Sequence, residues 1–253
     1  MWRALAILVT TLLFALMPTS AGGITNGQVD EDDDYPFVGL LAFHDEDGEY
    51  LHRCTGTLIS PTVVLTAAHC TFGTAQAYAY FDVTVVDDFR EVPSGVHGTP
   101  HTSPWFNPNT LGNDVAVVEL DEAVELAEYP TIVEQGFLTR QKRMNGLKHA
   151  TFLAVGYGGV TGTPPPTITF DLVRRYATSP YGSLTRNNLH LEQNPVSTGM
   201  GGTCFGDSGG PHFWEDTLTV VAVTSWGDAI CRSNDMTQRI DIATAQDFLD
   251  DWI

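Results

Sequence analysis

The sequence predicts an all-β protein closed by a C-terminal helix. Three observations carry this reading: short runs rich in β-branched and aromatic residues recur, Gly, Pro and Asp turns separate them, and helical periodicity surfaces only at the end. The runs are 57–60, 63–68, 79–86, 115–120, 151–155, 168–176, 189–192 and 218–226. Over 244–253, Phe248, Leu249, Trp252 and Ile253 share one helical face, as expected of a terminal helix docked on a core. Turn residues crowd 93–108 and 156–166, which read as surface loops, and 128–136 can join two halves. Strands at this spacing fit barrels and sandwiches alike.

A chain of 253 residues with 43% hydrophobic residues can fill the core of one large all-β domain or two small ones. Residues 1–23 stand apart: one basic residue, an apolar stretch over 4–16, then Pro18-Thr19-Ser20-Ala21 before Gly22-Gly23. This is the pattern of a secretory signal peptide, ending at 21 or 23 and implying an extracellular protein. The apolar stretch is shorter than the roughly 20 residues that span a bilayer, so no membrane attachment is expected after its removal.

The formal charge of -19 becomes -20 without Arg3, and so acidic a surface repels nucleic acid and anionic lipid. The run Asp30-Glu31-Asp32-Asp33-Asp34 reads as a solvated loop. Four cysteines in an exported chain suggest two disulfides, for which three connectivities exist. Neither Cys-x-x-Cys nor His-Glu-x-x-His occurs, so no metal and no cofactor is expected.

Gly206-Asp207-Ser208-Gly209-Gly210-Pro211 crowds glycines around one serine. Glycines let the backbone turn so that the amides of Gly206 and Ser208 converge on one point, where an oxyanion could develop. A serine hydroxyl needs a base, and Leu65-Thr66-Ala67-Ala68-His69-Cys70 offers a histidine at the end of an apolar run. Asp114, at the mouth of the apolar run that follows it, is an acid able to orient that imidazole. Each segment alone has a plainer reading, as a glycine turn, a surface histidine or a strand-capping aspartate.

Together the three segments resemble the chymotrypsin and trypsin family, in its His, Asp, Ser order. Tyr35-Pro36-Phe37, Val155-Gly156-Tyr157-Gly158, Ser225-Trp226-Gly227 and the terminal Asp251-Trp252-Ile253 agree, so the resemblance covers nearly the whole chain after residue 23. It implies two antiparallel β-barrels packed face to face with a short C-terminal α-helix, the first within 24–130 and the second within 131–253. It implies a serine endopeptidase acting on protein or peptide substrates as a monomer, with His69, Asp114 and Ser208 catalytic and the Gly206 and Ser208 amides as oxyanion hole. The family's bridges would pair Cys54 with Cys70 and Cys204 with Cys231.

In this family a new N-terminal ammonium pairs with the acid before the serine, which here means Ile24 and Asp207. The residue immediately before Ile24 is Gly23, not Arg or Lys, so a trypsin-like activator is not required. The specificity pocket would comprise Gly202, Thr203, Ser225, Trp226 and Gly227, with Phe205 and Asp228 near the cleft. Where trypsins carry Asp on the pocket floor this chain has Gly202, so an apolar or aromatic side chain is expected before the scissile bond. Asp235 falls near the pocket's back wall, and if it points inward, cationic side chains return as substrates. A catalytically silent relative and an esterase are the alternatives, although no catalytic residue is missing and the strand-turn-helix setting of a Gly-x-Ser-x-Gly elbow is absent.

Overall fold

The structure is a computed structural model, and it describes residues 24–86, 89–91, 93–161 and 167–253. The signal segment expected over 1–23 lies outside these residues. Strand β1 (Gln28–Val29) is followed by β2 (Val38–His44), β3 (Tyr50–Ser60) and β4 (Val63–Thr66), then the single helical turn α1 (Ala68–Thr71). Strands β5 (Gln76–Tyr80), β6 (Val96–Thr102) and β7 (Ala116–Leu120) complete a closed antiparallel barrel in the order β2-β3-β4-β7-β6-β5.

The chain then passes through β8 (Thr131–Ile132) and helix α2 (Phe137–Arg143) into β9 (Thr151–Gly156). A small hairpin of β10 (Val160–Thr161) and β11 (Ile168–Thr169) precedes β12 (Arg175–Leu184), β13 (Asn188–Glu192) and the turn α3 (Pro195–Thr198). Strands β14 (Pro211–Trp214), β15 (Thr219–Gly227) and β16 (Asn234–Arg239) close a second barrel in the order β12-β13-β16-β15-β14-β9, and α4 (Ala243–Leu249) ends the fold. The protein is therefore all-β with two six-stranded antiparallel barrels, as the resemblance implied. Strand β1 pairs with β12, so the first strand of the chain extends the second barrel.

Burial follows the pleat. In β12, Arg175, Ala177 and Ser179 are buried while Tyr176, Thr178 and Pro180 are half-buried, the alternation of a strand with one face on a core. The barrels share one hydrophobic core, in which Phe37 of the first half meets Phe213 of the second edge to face at 5.8 Å.

Several expectations need correction. The 93–108 stretch is not all loop, because β6 occupies its middle. Pro100 is tolerated there since β5 pairs only as far as Gly98, and a side chain at Gly98 would strike the Glu119 carbonyl at 2.7 Å. The 79–86 strand ends at Tyr80, after which Thr84 bridges to Val173 of the other half. The 168–176 strand is split, because Leu172 adopts φ 57° between β11 and β12. The 63–68 strand stops at Thr66 so that Ala68 can begin the turn that carries His69. The terminal helix ends at Leu249. Trp252 lies beyond it, 4.5 Å from the His101 ring, and Ile253 is exposed.

The acidic run is not wholly solvated either. Asp30 is buried and receives Nε of the fully buried Arg174 at 2.7 Å, together with the amides of Asp34 and Tyr35. Arg174 also reaches Asp33 and donates to the carbonyls of Val38 and Phe81, which ties the start of the second half to the first barrel. Buried charges are tolerated only when paired and fully hydrogen-bonded, and this guanidinium meets that condition. Arg174→Met leaves Asp30 as an uncompensated buried carboxylate, and denaturant unfolding should show a loss of about 3–5 kcal/mol.

Candidate active site

His69 sits on α1 directly after β4, where the strand gives way to one helical turn. Asp114 precedes β7 in the same barrel, entered through Asn113 in the left-handed region at φ 55°, which asparagine adopts more readily than most residues. The Asp114 carboxylate is inaccessible to solvent. Its Oδ1 accepts the His69 backbone N–H at 2.8 Å, and its Oδ2 accepts His69 Nδ1–H at 2.8 Å. Ser225 of β15 donates its hydroxyl to the same Oδ2 at 2.5 Å, and Gln238 of β16 accepts the Asp114 backbone N–H at 3.1 Å. Two donors fix the imidazole by backbone and ring together, so its Nε2 is left as the free acceptor.

Ser208 lies between Gly206 at φ 98° and Gly209 at φ 79°, conformations that a side chain would strain. A side chain at Gly209 would also strike the Thr66 hydroxyl at 2.1 Å. In this loop the amides of Cys204, Asp207, Gly209 and Gly210 donate to Asp207 Oδ2, the Cys204 carbonyl, the Thr224 carbonyl and the Asp207 carbonyl. Among the described residues the Gly206 and Ser208 amides have no hydrogen-bond acceptor.

The two halves of the site meet at the first disulfide. The pairs are Cys54–Cys70 and Cys204–Cys231. Cys70 Sγ lies 3.7 Å from His69 Nε2 and 3.8 Å from the Ser208 carbonyl oxygen, and that oxygen accepts the Thr55 amide at 2.9 Å. Imidazole and serine therefore border the same bridge, although no hydrogen bond joins Ser208 Oγ to His69 Nε2. Cys54, His69 and Cys70 bring potential metal-binding atoms within 4.8 Å of one another, but both sulfurs are consumed in the disulfide and no thiolate remains to bind an ion.

Asp207 points away from the cleft into a fully buried site. Side chains at Gly156 and Gly158 would meet its carboxylate oxygens at 2.2 Å, and the Gly158 amide donates to Oδ1 at 2.7 Å. The glycines of the Val-Gly-Tyr-Gly stretch thus make room for this acid. Burial pushes its pKa up to about 7, against the opposing pull of the Cys204 and Gly158 amides and of the Arg53 and Arg175 charges. Ile24 is buried between Ala154 and Ala177, and the next residue, Thr25, bridges to Gly202.

A cavity of about 190 Å³ opens beside Ser208. Thr203, Phe205, Ser225, Trp226, Gly227 and Asp228 line it as expected, with Gln193 and Thr224 in addition. Gly202 and Asp235 do not. A side chain at Gly202 would strike Gln193 Cβ at 2.2 Å, so the glutamine takes the place beside this glycine. Asp235 stands behind the wall, fully buried, with Oδ2 3.3 Å from Nε2 of the equally buried His212, which contacts the Thr224 hydroxyl at 3.0 Å.

Neither Asp235 oxygen has a hydrogen-bond donor in good geometry. Burial pushes its pKa up to about 7 against the pull of the Thr203 side chain, with the fields of Asp207 and Asp228 adding to the rise, while burial lowers that of His212 to about 3. His212 directly follows the glycine-rich serine segment, but its partner 23 positions on is set by strand register alone: Asp235 lies opposite Leu191 and Gly227.

The family model for trypsin matches residues 24–253. A trypsin of Saccharopolyspora erythraea is 31% identical over 225 residues, covering 83% of this chain and 88% of its own. Alkaline trypsin B of Manduca sexta is 26% identical over 229 residues, covering 85% and 84%. Among solved structures, HL collagenase gives a TM-score of 0.68 at 19% identity, over 90% of this chain and 97% of its own. Human heparin binding protein gives 0.65 at 18% identity, over 90% and 96%; at such identities the likeness concerns the fold. The chain belongs to the trypsin family, and it is a serine-type endopeptidase acting on protein substrates.

The raised pKa of Asp235 has a signed consequence. The folded state holds this proton more tightly than the unfolded state, so the contribution to stability is complete below the ordinary value of 3.8 and is lost as pH rises to about 7. Thermal unfolding of Asp235→Asn against the natural chain should show the variant gaining relative stability from about pH 4 to pH 7 and levelling off above it.

Proposed function

We propose that hydrolysis runs through Ser208, His69 and Asp114. Ser208 Oγ attacks the scissile carbonyl, His69 Nε2 takes its proton and returns it to the departing amine, and Asp114 holds the ring and balances its positive charge. The developing oxyanion is received by the amides of Gly206 and Ser208. The observation that carries this reading is the buried Asp114 carboxylate, which grips His69 by both backbone and ring while two unengaged amides flank the serine. A fluorophosphonate probe should label the protein, and Ser208→Ala should abolish labelling and lower kcat by ~10⁶-fold with the fold unchanged. Labelling that survives the substitution contradicts the assignment.

Ile24 and Asp207 form the activation pair in this reading. Asp207 is buried at the cost of its charge, and an ammonium at Ile24 is the cation that would restore it. The buried position of Ile24 and the bridge from Thr25 to Gly202 support this. N-terminal sequencing of active protein should begin at Ile24. A chain beginning at Gly22 should be at least tenfold less active, and equal activity of the two forms contradicts the pairing.

The pocket favours an apolar or aromatic side chain before the scissile bond. Asp228 lines it but spends its carboxylate on the amides of Arg232, Ser233 and Asn234, and Asp235 behind the wall is neutral below about pH 7. Peptides with Phe or Leu at that position should be cleaved at pH 6, and efficient cleavage after Arg with none after Phe or Leu overturns the preference. The two disulfides support an exported protein working outside the cell once residues 1–23 are removed, and in this reading it acts as a monomer without nucleic-acid or membrane partners. No helix among the described residues is long and apolar enough to cross a membrane.

A further inference from the structure

The direction in which the substrate leaves can be derived from the site. His69 returns a proton to the departing amine, so the residues after the scissile bond lie on the side of its Nε2, opposite the pocket beside the Cys204–Cys231 bridge. That side is bordered by the Cys54–Cys70 disulfide and by β3, where the Thr55 amide bonds the Ser208 carbonyl and the Thr55 hydroxyl bonds the Gly206 carbonyl. Arg53 is the neighbour of Cys54 and Thr55 on this strand, opposite Ala42 of β2.

Arg53 differs from the other arginines that the fold encloses. Arg174, Arg175 and Arg239 each meet a carboxylate, whereas Arg53 forms no ion pair among the described residues. Its Nε and Nη2 are shielded from solvent and have no hydrogen-bond acceptor, and these two N–H groups make up one edge of the guanidinium plane. That edge lies close to the oxyanion segment, since a side chain built at Gly206 would come within 3.9 Å of Nε. The face of the plane is covered by the Phe170 ring at 4.5 Å, and Phe170 is itself about half exposed.

An enclosed pair of donors without an acceptor is costly, and a guanidinium edge has one best-matched partner, a carboxylate that takes both N–H groups in parallel. We infer that Arg53 is a specificity-determining residue for the leaving-group side, selecting substrates with a carboxylate in the first two residues after the scissile bond. The carboxylate is that of an Asp or Glu side chain. The inference rests on the protease reading above and adds a substrate class to it.

The test uses the full-length chain after activation and quenched fluorescent peptides that keep Leu before the scissile bond. The first and second residues after it carry Glu, Gln or Lys in turn. The Glu peptide should exceed the Gln peptide in kcat/KM by about tenfold, with Lys slowest. Half-molar salt should shrink the preference only in part, because the edge is shielded. Arg53→Gln should bring the Glu to Gln ratio to about one, any loss of rate common to both peptides reporting the removal of its field from Asp207, and Arg53→Lys should be intermediate, since an ammonium keeps the charge but not the paired edge. Equal rates for Glu and Gln with the natural chain overturn the inference, even if Arg53→Gln fails to fold, and so does a preference that survives the substitution. If no peptide is cleaved and no probe labels Ser208, the protease reading itself falls and takes this inference with it. Cleavage without a preference removes only the role of Arg53.

Discussion

The Asp114 carboxylate is the constraint on which the site depends. A carboxylate removed from water is tolerated only when its lone pairs are filled, and here the His69 backbone, the His69 ring and the Ser225 hydroxyl donate to it. Those donors come from both barrels, and the acceptor of the Asp114 amide, Gln238, comes from the second. One buried charge therefore reports whether the two halves are correctly docked. It also leaves the imidazole a single free nitrogen, facing the cleft.

A second buried acid organises the other side of the same cleft. Asp207 accepts the Cys204 and Gly158 amides, while the Gly206 and Ser208 amides on either side of it have no acceptor among the described residues. The space it occupies exists because residues 156 and 158 lack side chains. Its elevated pKa shows that the amides compensate its burial incompletely, which is why a nearby cation matters to its charge state. Positioning and charge are thus coupled: the groups that shape the oxyanion nest are those that respond to the ionisation of one carboxylate.

The parts of this arrangement that were legible in the sequence are those whose chemistry restricts residue type locally. Gly206 and Gly209 need positive φ, His69 must follow a strand end, and Asp114 must precede one, so each leaves a mark within a few positions. Both disulfides agreed with the resemblance for the same reason. What stayed hidden depends on register between distant strands. The Arg174–Asp30 ion pair spans 144 positions, and the sequence around Asp30 looks like an ordinary acidic loop. Gln193 reaches the pocket wall only because Gly202 leaves room, and Asp235 faces His212 only because β16 is packed between β13 and β15. Residues 93–108 were misjudged because Gly98 and Pro100 signal a turn locally, while the barrel uses one for close approach and accepts the other where β5 has ended.

The most direct measurement of the central claim is the steady-state kinetics of Asp114→Asn, together with the proton spectrum of the His69 ring. The amide keeps the shape of the acid but has one accepting oxygen, so with that oxygen on the His69 backbone N–H its NH2 group donates to Nδ1 and the imidazole should turn to the wrong tautomer. A fall in kcat of about 10⁴-fold with unaltered unfolding behaviour, and loss of the low-field Nδ1 proton, is the predicted result. A variant that retains full kcat would contradict the account, because the serine would then be activated without this acid.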